Sequence, residues 1–475
     1  MGSVDKQGRR CRTIWNQVFL ISAALLITTI SGCGSGVSSN QQTTTPPPPT
    51  QTSPQRYLAP LVAGSTYSNS LSLLTNAQTY TIDDVAETFW QTSYLLNSSQ
   101  EGAQILDAGS VNAGSRGLLS LELKVSYNNA NNFSPIPYNP PQTGFALELA
   151  GQAGGLVQLL GQPMTPLVPT ANCPNISKAE TYNFITIPTY LQNSASQPSG
   201  WSPTTQTAYG SVDIITSGST VNFNNIQQFT FPPLGSVNGG ARTNLNVTSV
   251  AATCGQTAYG NTISIPGQIT VTDPGTGGGP PQAIADIGPT GLLVEDNGLN
   301  PVGDYQNALG AGTGAVGLPM PSSAVDTSAL VGAQYLGFAY GSGVYTNASP
   351  SGGWSSHLVS FGGFSNVPSS QSCPSVPAST STPIIYGGDY DPSTSPNGFG
   401  NPDLTLYLNA PTSNGLYPNA TVCMGGSYPA NTTKQTYSFP AVAIAGQLQG
   451  KSVIFLLGKD SISTQAWAIY LFQSN

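Results

Sequence analysis

The sequence has little charge and almost no histidine. Charged residues make up 7% of its 475 positions, against about 25% in ordinary soluble proteins. Twelve basic residues face twenty acidic ones. Nucleic-acid binding depends on neutralising phosphates with Lys and Arg, so this balance excludes DNA and RNA as partners. His357 is the only histidine and no Gly-x-Ser-x-Gly motif is present, which disfavours hydrolysis by a serine with a histidine base.

Long apolar runs are also missing, apart from one near the N-terminus. Four of the twelve basic residues lie between positions 6 and 12, and an apolar stretch then runs from Val18 to Ile27, interrupted only by Ser22. This stretch is shorter than the ~20 apolar residues that a membrane-spanning helix needs. A basic start, a short apolar segment and small residues after it are typical of a secretory signal.

The residues that end this segment, Ile30-Ser31-Gly32-Cys33, resemble the lipobox of bacterial lipoproteins. The resemblance implies that residues 1–32 are removed, that the Cys33 thiol receives a diacylglyceryl group, and that the new amino terminus is acylated, for example with palmitate. Several acyl chains anchor a protein firmly, at ~0.8 kcal/mol per buried methylene. An aspartate after the cysteine often marks inner-membrane retention in this family, so Gly34 favours the outer membrane. The alternative is a stray cysteine after an uncleaved helix.

The segment that follows has a composition that cannot form a core. Residues 33–56 are rich in Ser, Gln, Thr and Pro, including four consecutive prolines at 46–49, and they predict a semi-rigid extended linker. Loss of the signal would leave eight basic against nineteen acidic residues, a net charge of −11. We therefore expect an acidic ectodomain held away from the membrane by its linker.

Cysteine is scarce, and its spacing does not suit a metal site. Apart from Cys11 and Cys33, the chain contains four cysteines, with no Cys-x-x-Cys pair and no histidine nearby, which disfavours zinc. An even number in an exported protein predicts two disulfides, and three pairings are possible. Proximity in the chain favours Cys173–Cys254 and Cys373–Cys423.

Alternating apolar and polar residues dominate the remaining chain. Leu119, Leu121 and Leu123 interleave with polar residues, as expected for a half-buried antiparallel strand, and shorter segments repeat the pattern. We expect an all-β protein built from tandem antiparallel barrels or sandwich-like units, with a β-propeller as the alternative. The one helix that the spacing predicts is Ile82–Leu96, with Thr81 as its cap.

A weak repeat suggests three such units. Three segments share the form strand, glycine, two or three residues, glycine, strand; they are Phe145–Gly161, Ala283–Val294 and Val442–Leu457. Tyr182 and Tyr335 each precede a tryptophan by 19 positions, and Tyr57 is a candidate third copy. These echoes predict units at 57–178, 179–331 and 332–475. The order of Tyr-x-Phe, Tyr-Gly-x-Val at 209–212 and a final hairpin resembles lipocalin-like barrels of envelope lipoproteins, which implies closed barrels but no site residues.

Two glycine motifs are weak matches to nucleotide-binding loops. Gly-Thr-Gly-Ala-Val-Gly at 312–317 is followed by two prolines within four residues, which cannot form the helix that a dinucleotide site needs; we interpret it as a glycine loop. The near match at 445–452 to a phosphate-binding loop is followed by strand residues, so Lys451 is interpreted as part of a hairpin. No cofactor is therefore expected.

The best candidate ligand site is an acidic loop near a tryptophan. Asp389, Asp391 and Asp403 supply oxygen ligands that could suit calcium, although a solvated loop is the more ordinary interpretation and the metal is left open. Trp354 could stack on a sugar or a peptide, or cap the end of a β-core. We expect a lipid-anchored cell-envelope protein that serves in binding or structure, with envelope polysaccharide or protein as partners. The less favoured alternative is a secreted carbohydrate-active hydrolase with paired carboxylates, for which no catalytic residue can be assigned.

Overall fold

A computed structural model of the chain describes mainly its β-strands and some of the segments between them. The described residues are 55–59, 76–83, 87–95, 104–113, 118–128, 135–149, 154–159, 165–169, 173–186, 190–192, 201–203, 207–231, 244–259, 263–271, 283–288, 290–296, 315–323, 325, 329–330, 333–342, 354–363, 384–389, 404–408, 414–424, 437–459 and 466–474. In this part of the chain there are three closed barrels of eight strands each, which follow one another in sequence, and one small two-stranded sheet.

The strands have the following bounds. Barrel 1 contains β1 Gln55–Ala59, β2 Asn76–Asp83, β3 Thr88–Leu95, β4 Gln104–Ala113, β5 Leu118–Asn128, β6 Pro135–Glu148, β7 Gly155–Leu159 and β8 Thr165–Pro169. Barrel 2 begins with β9 Glu180–Thr186; the side sheet of β10 Tyr190–Gln192 and β11 Trp201–Pro203 comes next, and the barrel continues with β12 Thr207–Ser217, β13 Thr220–Phe231, β14 Asn244–Tyr259, β15 Ile263–Val271, β16 Ala283–Ile287, β17 Leu293–Asp296 and β18 Ala315–Pro319. Barrel 3 contains β19 Gln334–Ser342, β20 Trp354–Gly363, β21 Ile384–Asp389, β22 Leu404–Tyr407, β23 Leu416–Met424, β24 Tyr437–Leu448, β25 Lys451–Lys459 and β26 Ala466–Gln473.

Each barrel is an antiparallel up-and-down barrel. Strands adjacent in the barrel are adjacent in sequence, and the first strand pairs with the eighth: β1 with β8, β9 with β18 and β19 with β26. Closure leaves no free sheet edge, which is how such a fold avoids edge-to-edge aggregation. The expected all-β fold of tandem antiparallel barrels is confirmed, and the units proposed at 57–178, 179–331 and 332–475 remain our proposal for the domain boundaries. We call the end of each barrel where its first strand begins and its last strand ends the proximal end, and the other the distal end.

Alternation along the strands fills each barrel with apolar side chains. Barrel 3 shows this most clearly, because Ala443 and Ala445 of β24 and Ile454 and Leu456 of β25 belong to one interior cluster. Separate clusters fill barrel 2, around Phe184 and Phe223, and barrel 1, around Phe89 and Leu121. Eight strands enclose a space just wide enough for side chains.

The helix predicted over Ile82–Leu96 is wrong. Its described residues form the end of β2 and all of β3, which pair in a hairpin with Ile82 opposite Phe89. Glu87, at the start of β3, has a φ of 54°, a left-handed conformation suited to a tight turn. The aromatic and β-branched residues that follow favour a strand once pairing partners exist on both sides, and this tertiary pairing overrides the weak helical spacing.

The three glycine-flanked repeats are the same hairpin in each barrel. They correspond to β6–β7, β16–β17 and β24–β25, which are the sixth and seventh strands of barrels 1, 2 and 3. The turn of the third differs from the sequence interpretation, because Gly446 lies within β24 and the reversal takes place at Gln449 and Gly450, whose φ angles are 51° and 74°. Paired positive φ angles are typical of the two-residue turns that match strand twist.

The outer faces of the three barrels meet in one continuous apolar core, which we call the junction. In β24, β25 and β26 residues on both faces are buried, because one face points into barrel 3 and the other into the junction. The junction consists of Leu147, Leu149, Leu156 and Val168 from barrel 1, Ile185, Tyr209, Leu292, Val294, Val316 and Leu318 from barrel 2, and Leu336, Phe338, Val442, Ile444, Leu448, Val453, Phe455, Leu457, Ala468, Tyr470 and Phe472 from barrel 3.

The junction uses nearly the same part of each barrel wall. The main contacts between barrels join β17 to β8, β19 to β7, β18 to β24, and β9 to both β24 and β25. Each of them joins the sixth or seventh strand of one barrel to the first or eighth strand of another, so each repeated hairpin packs against the closing strands of a different barrel. Within the described residues, no helix is long and apolar enough to cross a membrane.

Candidate functional site

The predicted ligand loop is only partly within the described residues. Trp354 begins β20 and Asp389 ends β21, and these strands pair, with Val359 opposite Asp389. Both residues are therefore on the side of barrel 3 towards its distal end. Asp391 and Asp403 lie outside the described residues, so the proposed four-residue site stays a prediction. His357 is a strand residue of β20, opposite Ala339.

The predicted cysteine sites are also only partly within the described residues. Cys173 and Cys254 form a disulfide with a Cα–Cα distance of 5.7 Å, which is the pairing that proximity in sequence favours. Cys423 lies in β23, opposite Thr405 and Ser438. Cys33 and Cys373 lie outside the described residues, so acylation of Cys33 and the Cys373–Cys423 bridge remain predictions.

The two glycine motifs form strands and a hairpin. Residues 315–317 of the dinucleotide-like motif belong to β18, a barrel strand, and not to the glycine loop expected from the prolines after it. Lys451 begins β25 and pairs with Leu448 across the turn, as expected for a hairpin residue. A phosphate-binding loop needs a helix after its glycines, and a strand stands there instead.

Several buried polar side chains lie on outer walls that face the junction, among them Gln158, Asn183 and Asp286. Asn183 of β9 donates a hydrogen bond from Nδ2 to the carbonyl oxygen of Asn414 in barrel 3, at 2.7 Å. The amide Nε2 of Gln158 and the hydroxyl of Tyr470 are buried without a hydrogen-bond partner among the described residues. The Asn183 bond therefore connects barrels 2 and 3 directly.

Asp286 is the most unusual of these groups. Its neighbours Ala285 and Ile287 point into barrel 2, so alternation places Asp286 on the outer wall, opposite the junction residue Val294. Its side chain is 4% exposed, and Oδ1 has no hydrogen-bond partner among the described residues. Burial alone raises the pKa of this carboxyl from 3.8 to about 8, because a charge loses its hydration there.

Asp286 is nevertheless a poor catalytic group. A general acid with such a pKa must reach its substrate, whereas this carboxyl is enclosed by packed protein. The described residues also contain no group of three histidine, cysteine or carboxylate side chains that could hold a metal ion. The arrangement favours a structural role for the polar groups that face the junction.

The sequence does contain a signal for the junction that was not recognised. The runs Val442–Ala445 and Val453–Leu457 are apolar at every position, whereas a strand with one wet face alternates. A continuous apolar run predicts a strand that is buried on both faces. Asp286 gave no comparable signal, since a single acid in an apolar strand is usually assigned to the solvent side.

Comparisons with known proteins give little help. No family model matches the chain, and no curated protein matches it. Two solved structures of mutants of the vaccine antigen transferrin binding protein B from Haemophilus parasuis are similar to it at 8% and 9% identity, over 89% of this chain and 76% of theirs, with TM-scores of 0.24. A TM-score this low does not establish a common fold, so the assignment of three barrels rests on the strand pairing alone.

Proposed function

We propose that this protein is a lipid-anchored cell-envelope protein whose three barrels act together as a surface binding or structural module. The observation that carries the proposal is the N-terminal order of basic residues, short apolar segment and Ile30-Ser31-Gly32-Cys33. Acylation of Cys33 would hold the chain at a membrane, and Gly34 favours the outer membrane. The part of the predicted linker that precedes β1, residues 34–54, would then hold the barrels away from the lipid.

The filled interiors support a binding surface on the outside of the barrels. A lipocalin-like carrier keeps a ligand in its lumen, whereas the barrel interiors here contain packed, buried side chains. The outer walls of the first, sixth, seventh and eighth strands are occupied by the junction. Of the remaining strands, β20 and β21 of barrel 3 have the residue types best suited to a ligand, because β20 begins at Trp354 and β21 ends at Asp389.

The occupant that this chemistry fits is an envelope polysaccharide or a polar protein surface. A tryptophan can stack on a sugar ring while nearby carboxylates accept hydrogen bonds from its hydroxyls. Co-sedimentation of the purified mature chain with peptidoglycan sacculi tests the location of the site, comparing wild type with Trp354→Ala. Sedimentation that is equal for both would place the site elsewhere.

Membrane fractionation tests the anchor. We expect Cys33→Ala to move the product from the membrane pellet to the soluble fraction, because a methyl side chain cannot accept the diacylglyceryl group. Cys11→Ala is the matched control, since it removes a cysteine from the same segment upstream of the lipobox, and it should leave the protein in the pellet. Continued sedimentation of Cys33→Ala would refute acylation at this position.

A further inference from the structure

The segment before barrel 2 crosses the proximal end of that barrel. Cys173 is bonded to Cys254 of β14, and three residues later Ile176 is packed in the interior cluster of barrel 2 with 6% of its surface exposed. The chain then enters β9 at Glu180. In the barrel, β12 and β13 separate β14 from β9, so residues 173–179 pass over the mouth of the barrel.

Backbone hydrogen bonds hold this segment against β12. The amide of Ile176 donates to the Thr216 hydroxyl at 2.7 Å, and the amide of Thr216 donates to the Ile176 carbonyl oxygen at 2.9 Å. Thr216 lies at the proximal end of β12, one residue before the strand ends. Both backbone polar groups of Ile176 are therefore hydrogen-bonded, and its side chain lies in the proximal mouth of barrel 2.

A corresponding segment precedes barrel 3. Leu330 is buried in the interior cluster of that barrel, with Ala333 and the partly buried Val325 beside it. The hydroxyl of Tyr335, inside the barrel, donates to the Leu330 carbonyl oxygen at 2.9 Å. Leu330 stands four residues before β19, as Ile176 stands four before β9. Both linkers therefore place one aliphatic side chain in the proximal mouth of the barrel that follows.

The side chains of Ile176 and Leu330 fill the proximal mouths of barrels 2 and 3, and we call them plugs. The segments that carry the two plugs are held in different ways. Among the described residues, only the first is cross-linked, by Cys173–Cys254. Cys254 is 2% exposed and belongs to the interior cluster of barrel 2, so the bond ties the plug to the core of the barrel and not to its rim. Among the described residues, the disulfide is the attachment that joins residues 173–175 to β14 across the mouth.

We propose that residues 173–179 are a redox-dependent strap that seats fully in barrel 2 only when Cys173 and Cys254 are joined. The disulfide forms when the two thiols together lose two electrons and two protons to a disulfide oxidant. The disulfide of the oxidant is reduced to two thiols. Cytosolic thiols are kept reduced and exported ones are not, so barrel 2 would close after export. This timing rests on the proposed function, whereas the strap itself does not.

Hydrogen exchange of the purified mature chain tests the strap. In the oxidised protein the Ile176 amide should be protected, and in Cys173→Ser it should exchange about tenfold faster or more, since local opening no longer competes with a covalent bond. The peptide carrying Leu330 is the internal control, because it reports a plug of the same design without the cross-link, and its exchange should not change.

A second measurement covers the case in which the variant folds poorly. Wild type reduced with a dithiol after folding should show the same local loss of protection at Ile176. Unchanged exchange at Ile176 in both samples would overturn the proposal, and so would loss of protection throughout all three barrels, since the bond would then be a global requirement. Neither result depends on the fractionation of Cys33→Ala, so the strap and the lipid anchor fail or succeed separately.

Discussion

The buried carboxyl of Asp286 makes the stability of this protein depend on pH in an unusual direction. Most carboxylates have a lowered pKa in the folded state and stabilise it as the pH rises. Burial instead raises the pKa of Asp286 to about 8. Between about pH 4 and pH 8 the folded protein therefore keeps a proton on this group that the unfolded chain has released, and the free energy of unfolding falls as the pH rises through this window.

The size of the effect follows from the shift. Each pH unit within the window costs about 1.4 kcal/mol, so at pH 7 the Asp286 carboxyl would reduce the free energy of unfolding by about 4 kcal/mol relative to pH 4. Asp286→Asn keeps the shape of the side chain and cannot ionise. We expect the variant to be more stable than wild type at pH 8 by several kcal/mol, and the difference to shrink towards pH 4.

Urea unfolding at pH 4.5, 6, 7 and 8 measures this difference. The wild-type curve alone is not decisive, because other ionisable groups also contribute to it; subtraction of the variant from the wild type cancels their contributions. The reasoning is refuted if the two proteins differ by the same amount at every pH. Such a result would mean that Asp286 is ionised in the folded state.

Two further substitutions test the packing of the junction. Phe455→Ala should lower the free energy of unfolding by about 3–5 kcal/mol, because the Phe455 ring is fully buried with the Tyr470 and Phe472 rings at centroid distances of 4.9 and 5.7 Å; Phe145→Ala, at a ring that is 37% exposed, is the control and should cost about 1 kcal/mol or less. Equal losses in urea unfolding would contradict a tightly packed junction. Tyr470→Phe removes a buried hydroxyl with no hydrogen-bond partner among the described residues, so it should leave the melting temperature unchanged or raise it, and a clear decrease would reveal a partner for that hydroxyl.

The junction makes the three barrels depend on one another. If barrel 3 were produced without barrels 1 and 2, the aromatic and aliphatic side chains on the outer faces of β24 to β26 would be exposed to solvent. An exposed apolar patch of this kind promotes association. Expression of a single barrel is therefore a poor route to a soluble domain, and the arrangement holds the three distal ends in fixed relative positions.

Local patterns were sufficient to predict the fold class. Alternating residues such as Leu119, Leu121 and Leu123 predict strands because side chains in a strand point to opposite faces, and the three glycine-flanked repeats correspond to equivalent hairpins in the three barrels. Local patterns failed at Ile82–Leu96, where four-residue spacing is compatible with either element. Pairing on both sides decided for strands there, and pairing is not a local property.

The candidate sites also differ in whether local sequence features could predict them. The pairing of Cys173 with Cys254 could be favoured from proximity, because short separations make closure of the loop more probable. The position of Asp286 could not be predicted, since alternation indicates which barrel wall a residue is on but not whether another barrel covers that wall. The position of Ile176 in the barrel mouth could not be predicted either, because one aliphatic residue in a linker has no periodicity.

The amino-acid sequence by itself indicated a β protein of repeated units with an acidic net charge, and its N-terminal segment resembles that of bacterial lipoproteins. These properties follow from composition, from a period of two and from a short motif, all of which act within a few residues. Only the tertiary structure decided that the units close as barrels, that their sixth to eighth strands and first strands are buried against one another, and that linkers fill the proximal mouths. Barrel closure and the junction depend on contacts between residues more than a hundred positions apart, and the linker before barrel 2 contacts residues 40 and 81 positions away. No local pattern specifies which distant surface a segment will meet.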